Sequence, residues 1–200
     1  VARPPLTVVP GQLELVRPPA PGRLELVRSF LNTLDVRKGT DAVATPGDLA
    51  VWLREHDLVD RKVKLALTAR DVERVRQIRE DLRALAQRNN GLDCVCRTAE
   101  LEAASERSRY TLVLDPATNT CLLQPTAPGI DGALGRVLAA VHTAMLDRSW
   151  SRLKSCADET CLWAYFDHSK NGCSRWCSAD TCGNRSKVKR YRERQAQQNA

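Results

Sequence analysis

From Leu24 onward apolar residues recur at steps of three and four. Leu24, Val27, Phe30, Leu31 and Leu34 predict a helix that runs to about Asp35, followed by a turn over residues 37–41 around Gly39. Thr45-Pro46-Gly47-Asp48 is a helix-opening string, and Leu49, Trp52 and Leu53 fall on the inward side of the helix it starts. The most regular stripe is Val72, Val75, Ile78, Leu82 and Leu85, with Asp71 as the expected cap and Asn89-Asn90-Gly91 as the stop. A shorter helix is expected over residues 98–106. The period then changes: apolar runs at 110–114 and 121–124 flank Asp115-Pro116-Ala117-Thr118-Asn119, the pattern of a β-hairpin with a longer loop. A last body helix is expected over 131–146, with Leu134, Val137, Leu138, Val141 and Met145 facing inward.

These elements predict a helix-rich α+β body with a β-hairpin and a core built mainly from Leu and Val. Residues 1–21 read as an irregular leader, since six of the ten prolines fall in the first 22 positions. A near-repeat, PGQLELVR at 10–17 and PGRLELVR at 21–28, is too short to define a repeat architecture. The body is expected over 22–149 and a small cysteine-rich module over 150–200, with Trp150 and Leu153 leading into it.

The chain has 200 residues, of which 42% are hydrophobic and 28% charged, room for one domain plus a small module and too apolar for wholesale disorder. Its apolar runs fall short of the ~18–20 residues of a membrane helix, and the first 25 residues lack a cationic start followed by an apolar stretch. The expectation is a cytoplasmic protein without membrane partners. The net charge of +7 is uneven. Residues 1–147 hold 20 Lys+Arg against 19 Asp+Glu, whereas residues 148–200 hold 11 against 5. Such a local surplus selects anionic partners.

Cysteine concentrates in the same segment: Cys156, Cys161, Cys173, Cys177 and Cys182 lie within 27 residues. In a reducing compartment bound metal explains this better than disulfides. Cys156-x4-Cys161 and Cys177-x4-Cys182, fifteen residues apart, form two short-gap pairs of the kind that converge on one tetrahedral Zn²⁺. Four thiolates close the coordination shell, so the expected role of the single ion is structural, with no open position for a catalytic water. The segment between the pairs must double back, and Leu162-Trp163-Ala164-Tyr165-Phe166 followed by Ser169-Lys170-Asn171-Gly172 suits a strand and turn.

After Cys182 come Gly183, expected at positive φ, and Asn184, expected as an N-cap. The helix they predict carries Arg185, Lys187, Lys189, Arg190, Arg192 and Arg194, with Val188 and Tyr191 as an apolar docking stripe. A metal-anchored helix with this charge suits nucleic acid, the residues at its start reaching bases and the later ones phosphates. The other roles open to it are a solvated tail, an acidic protein partner or RNA. Single-stranded RNA is the partner if the rings of Trp163, Tyr165, Phe166 and Trp176 are exposed for stacking.

Cys182-Gly183-Asn184-Arg185, with Trp176-Cys177-Ser178 before it, Asp167-His168-Ser169-Lys170-Asn171-Gly172 upstream and Cys156-Ala157-Asp158-Glu159-Thr160-Cys161 as a first ligand pair, resembles the CGNR zinc-finger family. Phe30-Leu31-Asn32-Thr33-Leu34-Asp35, Ala44-Thr45-Pro46 and Trp52-Leu53 resemble the ABATE domain that accompanies this finger. The resemblance covers about residues 22–195. It implies a bacterial, stress-related transcription regulator that binds DNA through the finger, with the body as a sensory or dimerising domain. Two positions depart from the family pattern: Ala179-Asp180-Thr181 replaces an apolar stretch, and Cys173 stands where Ser or Arg is commoner.

Asn32, Thr33 and Asp35 have two readings, as a small-effector pocket or as caps of the helix end, and the second is the commoner use of such residues. Cys94-x-Cys96, alone or with Cys121, reads as a redox pair or as inert thiols. Cys173 reads as a free thiol, and His168 is a spare ligand where four cysteines suffice. The sequence has no nucleophile triad order, phosphate-cradling glycine loop or HExxH helix, so the expectation is a protein without catalysis.

Overall fold

The computed structural model describes residues 17–198. The near-repeat's first copy falls almost wholly outside them.

Helix α1 spans Leu24–Leu31 and buries Leu24, Val27, Phe30 and Leu31. It stops four residues before the expected end. Leu34–Asp35 instead forms β1, antiparallel to β2 at Thr40–Asp41. The Asp35 carboxylate accepts the backbone N–H groups of Arg37 and Lys38, and Gly39 at φ +66° completes the turn. That local bonding outcompetes one more helical turn.

α2 (Pro46–Glu55) and α3 (Ala69–Asn89) open identically. Thr45 and Thr68 are the N-caps, and Asp48 and Asp71 return the bond three residues later as capping boxes. Asp71 is thus the reciprocal partner and not the expected cap, and α3 starts earlier for that reason. α4 spans Ala99–Ser108, and β3 (Tyr110–Asp115) pairs antiparallel with β4 (Thr120–Pro125) as the expected hairpin.

α5 (Gly129–Leu146) lies along β4. Gly135 permits that approach: a Cβ there would come within 2.6 Å of Pro125 Cβ and 2.7 Å of Ser108 Cβ. Its inward face is richer in alanine than expected, with Ala139, Ala140 and Ala144 buried, while Leu138 is partly buried and Met145 is exposed on the last turn. A 3₁₀ turn at Ser149–Arg152 leads to β5 (Leu153–Ser155), which pairs antiparallel with β6 (Ala164–Phe166). A π-helical turn at Ala179–Gly183 runs directly into α6 (Asn184–Gln198).

One core crosses the expected boundary near residue 150. Trp150, Leu153, Ala164 and Phe166 belong to the same buried cluster as Val27, Phe30, Ile78 and Leu82. Polar staples reinforce the seam. Asn32 donates its side-chain amide to the carbonyl of Ala164 (2.9 Å) and accepts that residue's N–H (2.7 Å), imitating a neighbouring strand on β6. Asn89 donates to the carbonyls of Trp150 and Leu153, and Asn90 to those of Ser155 and Arg175. The fully buried Arg83 donates to the carbonyl of Leu31 on one side and of Leu162 on the other, with Glu80 as its counter-ion.

Arg83→Met keeps the aliphatic volume but removes the buried guanidinium from the Leu31 carbonyl and leaves the Leu162 carbonyl with the Ser155 hydroxyl alone. The expected loss is about 2–4 kcal/mol, read as a lower urea midpoint, whereas Arg88→Ala at an exposed site stays within about 0.5 kcal/mol.

Candidate metal centre and basic helix

The first cysteine loop closes through Asp158. Its carboxylate accepts the Thr160 N–H (3.0 Å) and hydroxyl (2.6 Å), while its carbonyl accepts the N–H groups of Cys161 and Leu162. Leu162 leaves this loop at φ +53°. In the second loop Ser178 caps the π-helical turn by accepting the Thr181 N–H (3.3 Å), and the Ser178 carbonyl accepts the Gly183 N–H.

Gly183 does not take the expected positive φ. A Cβ there would meet the Trp176 ring at 3.3 Å, so the residue is small to let that indole approach. Asn184 is already helical and donates its side chain to the Asp180 carbonyl, bonding backward within the helix instead of capping it.

These two loops bring Cys156, Cys161, Cys177 and Cys182 together, with all four sulfurs within 4.8 Å of one another. Cys161 and Cys182 each lie 3.6 Å from Cys177. Four sulfurs at ~2.3 Å from one Zn²⁺ would be separated by ~3.8 Å, so the cluster has the dimensions of a tetrahedral site. Trp163 and Trp176 pack against it.

The charge chemistry agrees. The protons shared with Cys161 push Cys156 up to about 12, while hydrogen bonds from Cys156 and Cys177 hold Cys161 down to about 2. Cys177 is driven far upward by the same two neighbours. The sulfurs alone cannot all be thiolates, and a divalent cation is what allows it. Two guanidinium groups complete the balance at one ligand: Arg37 and Arg185 donate to Cys182 Sγ at 3.0 and 3.1 Å. Burial opposes the Arg37 charge, but the sulfurs of Cys161, Cys182 and Cys177 outweigh it and raise its pKa.

Arg185 also pairs with Asp158 at 2.9 Å, tying the second loop to the first. Burial would raise the Asp158 pKa, but the Thr160 bonds and Arg185 overcome this and lower it. Beneath the loops, Lys154 is buried against Asp167 (2.9 Å) and donates to the carbonyls of Gly172 and Ser174. Asp167 further accepts the N–H groups of Ser169 and Ser174. Its carboxyl, which burial alone would raise, is held well below the ordinary range by Ser169 and Lys154. Arg17, the last leader residue before the Pro18-Pro19 pair, stacks 4.5 Å over the Tyr165 ring and donates to the carbonyls of Trp176 and Cys177.

Arg17, Arg37 and the Lys154–Asp167 pair escape sequence reasoning because their partners are remote: Arg37 lies 145 positions from Cys182. The Asp167-His168-Ser169 string does carry a local turn signal that points to Asp167.

Arg185 is turned toward the sulfur site, while Lys187, Lys189, Arg190, Arg192 and Arg194 are exposed along α6. Val188 and Tyr191 are exposed too, and no residue of α6 is buried, so the expected stripe does not dock on this chain's described residues. Asn32, Thr33 and Asp35 are each engaged in hydrogen bonds within the fold. Asn32 is bonded to Ala164, and Thr33 donates to the Phe30 carbonyl and accepts from Arg79. Asp35 closes its own turn. His168 sits against the carbonyls of Pro18 and Pro19, and Cys173 is exposed, both apart from the sulfur cluster. No helix among the described residues is long and apolar enough to cross a membrane.

A helix-rich α+β body whose core runs into a closed four-cysteine site, followed by a free basic helix, defines a zinc-finger protein. Residues 24–148 match the ABATE family, described as "putative stress-induced transcription regulator", and residues 152–195 match the CGNR zinc finger. The chain belongs to the ABATE family, carries the CGNR finger at its C-terminal side, and holds one structural Zn²⁺ through its four clustered cysteines. No curated protein matches it.

Cys156→Ser and Cys182→Ser are expected to abolish the bound zinc in native mass spectrometry. Cys94→Ser and Cys121→Ser, outside the cluster, keep one ion per chain.

Asp167 titrates with a folded pKa below the unfolded ~3.9. Its stabilising contribution is therefore complete above about pH 5 and is lost as pH falls through the folded value. Asp167→Asn leaves the Lys154 ammonium buried and unpaired. It is expected to cost about 3–5 kcal/mol at pH 7, with a smaller penalty in acid, measured by denaturant titration at both pH values.

Proposed function

We propose that this protein is a DNA-binding transcription regulator without catalytic activity, in which zinc fixes the root of α6 and α6 contacts the duplex. The observation that carries the reading is the state of that helix. Five basic side chains stand exposed on an element with no buried residue, directly continuous with the metal loops. The zinc-tetrathiolate carries −2, so residues 148–200 keep a net charge of about +4. Arg185, committed to Cys182 and Asp158, serves the metal site; the five others supply phosphate and base-edge contacts.

The body supplies the sensory or dimerising part, and α3 is its route to the finger: Arg83, Asn89 and Asn90 all bond to carbonyls on the finger side. Base stacking on single strands is disfavoured. Tyr165 and Phe166 are buried, and Trp163 and Trp176 are packed against the sulfurs. An acidic protein partner is the remaining rival, and competition by plain duplex DNA separates the two.

If about four phosphates are neutralised, log K falls against log[salt] with a slope near −3.6. Arg192→Ala with Arg194→Ala is expected to reduce that slope by about 1.8 at unchanged zinc content. Fluorescence anisotropy on a labelled duplex measures both, and a flat salt response overturns the reading.

A further inference from the structure

We propose that the outer edge of β3 is a self-pairing surface, through which two copies of the chain join antiparallel about Val113 into a four-stranded sheet. This gives the dimerising role proposed for the body a surface, and it is independent of DNA contact by α6.

The β3–β4 hairpin is a two-stranded sheet on its own. Such a ribbon is marginal by itself and gains stability when further strands join. β4 is the strand laid along α5, and among the described residues no strand pairs with the outer edge of β3. That edge also lacks the usual defences: Thr111-Leu112-Val113-Leu114 contains no charge and no proline, and the register with β4 is unbroken by a bulge. Its aliphatic side chains are in water, Leu112 at 67% and Leu114 at 75% exposure. The other sheets differ. β6 meets the Asn32 amide and is buried, and β1–β2 is two residues long.

The partner that fits is a second copy. An antiparallel pair about Val113 sets Leu112 of each chain opposite Leu114 of the other, and Thr111 opposite Asp115, so no like charges face one another. Leu123 extends the leucine cluster on that face, and Val113 with Leu122 forms the reverse face. The near-neutral balance of residues 1–147 lets two bodies approach, whereas the cationic fingers repel. Six residues span ~20 Å, a length over which the two free edges exchange a continuous run of backbone hydrogen bonds while Leu112 and Leu114 of each copy pack side by side across the seam.

The test is light-scattering mass of the zinc-loaded full chain, compared with Leu112→Lys/Leu114→Lys. The wild type is expected at twice the 22.3 kDa chain mass. The double variant, which sets lysines against lysines across the two-fold, is expected at half the wild-type value with unchanged helix content by circular dichroism and unchanged zinc content, its melting point lowered only by the loss of association. Mixing it with Leu112→Glu/Leu114→Glu restores the doubled mass. A monomeric wild type overturns both the dimerising role and this surface. A dimer that survives the lysine pair leaves the role standing and overturns the surface.

Discussion

The structure turns on one electrostatic requirement: four sulfurs crowded within 4.8 Å of each other in a largely buried site. Without a cation they must share protons, since each thiolate formed raises the cost of ionising its neighbours. With Zn²⁺ all four become thiolates and the residual charge is spread over an anionic cluster. Arg37 and Arg185 answer that charge at Cys182, and Asp158 answers Arg185. The two cysteine loops are thereby joined twice, once by metal and once by an ion pair around it.

From this centre order spreads in both directions. Toward the body, Tyr165, Asp167 and Lys154 pack and bond beneath the loops, β6 accepts Asn32, and α3 reaches across with Arg83, Asn89 and Asn90. Toward solvent, the π-helical turn that carries Cys182 becomes α6 without a break. α3 is thus hydrogen-bonded to the backbone that carries the zinc loops, and those loops are continuous with the basic helix.

Much of this was legible in sequence because it is periodic or local. The α3 stripe, the hairpin, the Thr-Pro-Gly-Asp helix start and the two cysteine pairs each follow from spacing alone. Other readings went astray where a near neighbour offered a better bond. Asp35 closed its own turn and ended α1 early, and Thr68 took the cap assigned to Asp71. Gly183 proved to be small for Trp176 and not for its φ angle. Arg83 and Arg37 were out of reach of any local rule, because a buried arginine looks like a surface arginine until its distant carbonyl or sulfur partner is known. Asn32 and Thr33, polar at a helix end, read as caps more readily than as a pocket, and only the position of Ala164 shows that Asn32 bonds across to β6 instead.

The shared core has a consequence for dissecting the molecule. Trp150, Leu153, Ala164 and Phe166 are lined up against α1 and α3, so a finger severed near residue 150 would bare an oily flank of its own. Adhesion measured on such a fragment would mix contacts of that raw flank with those of the cationic rod. The excised piece would be a stickier object than the intact chain, whose core keeps that flank covered.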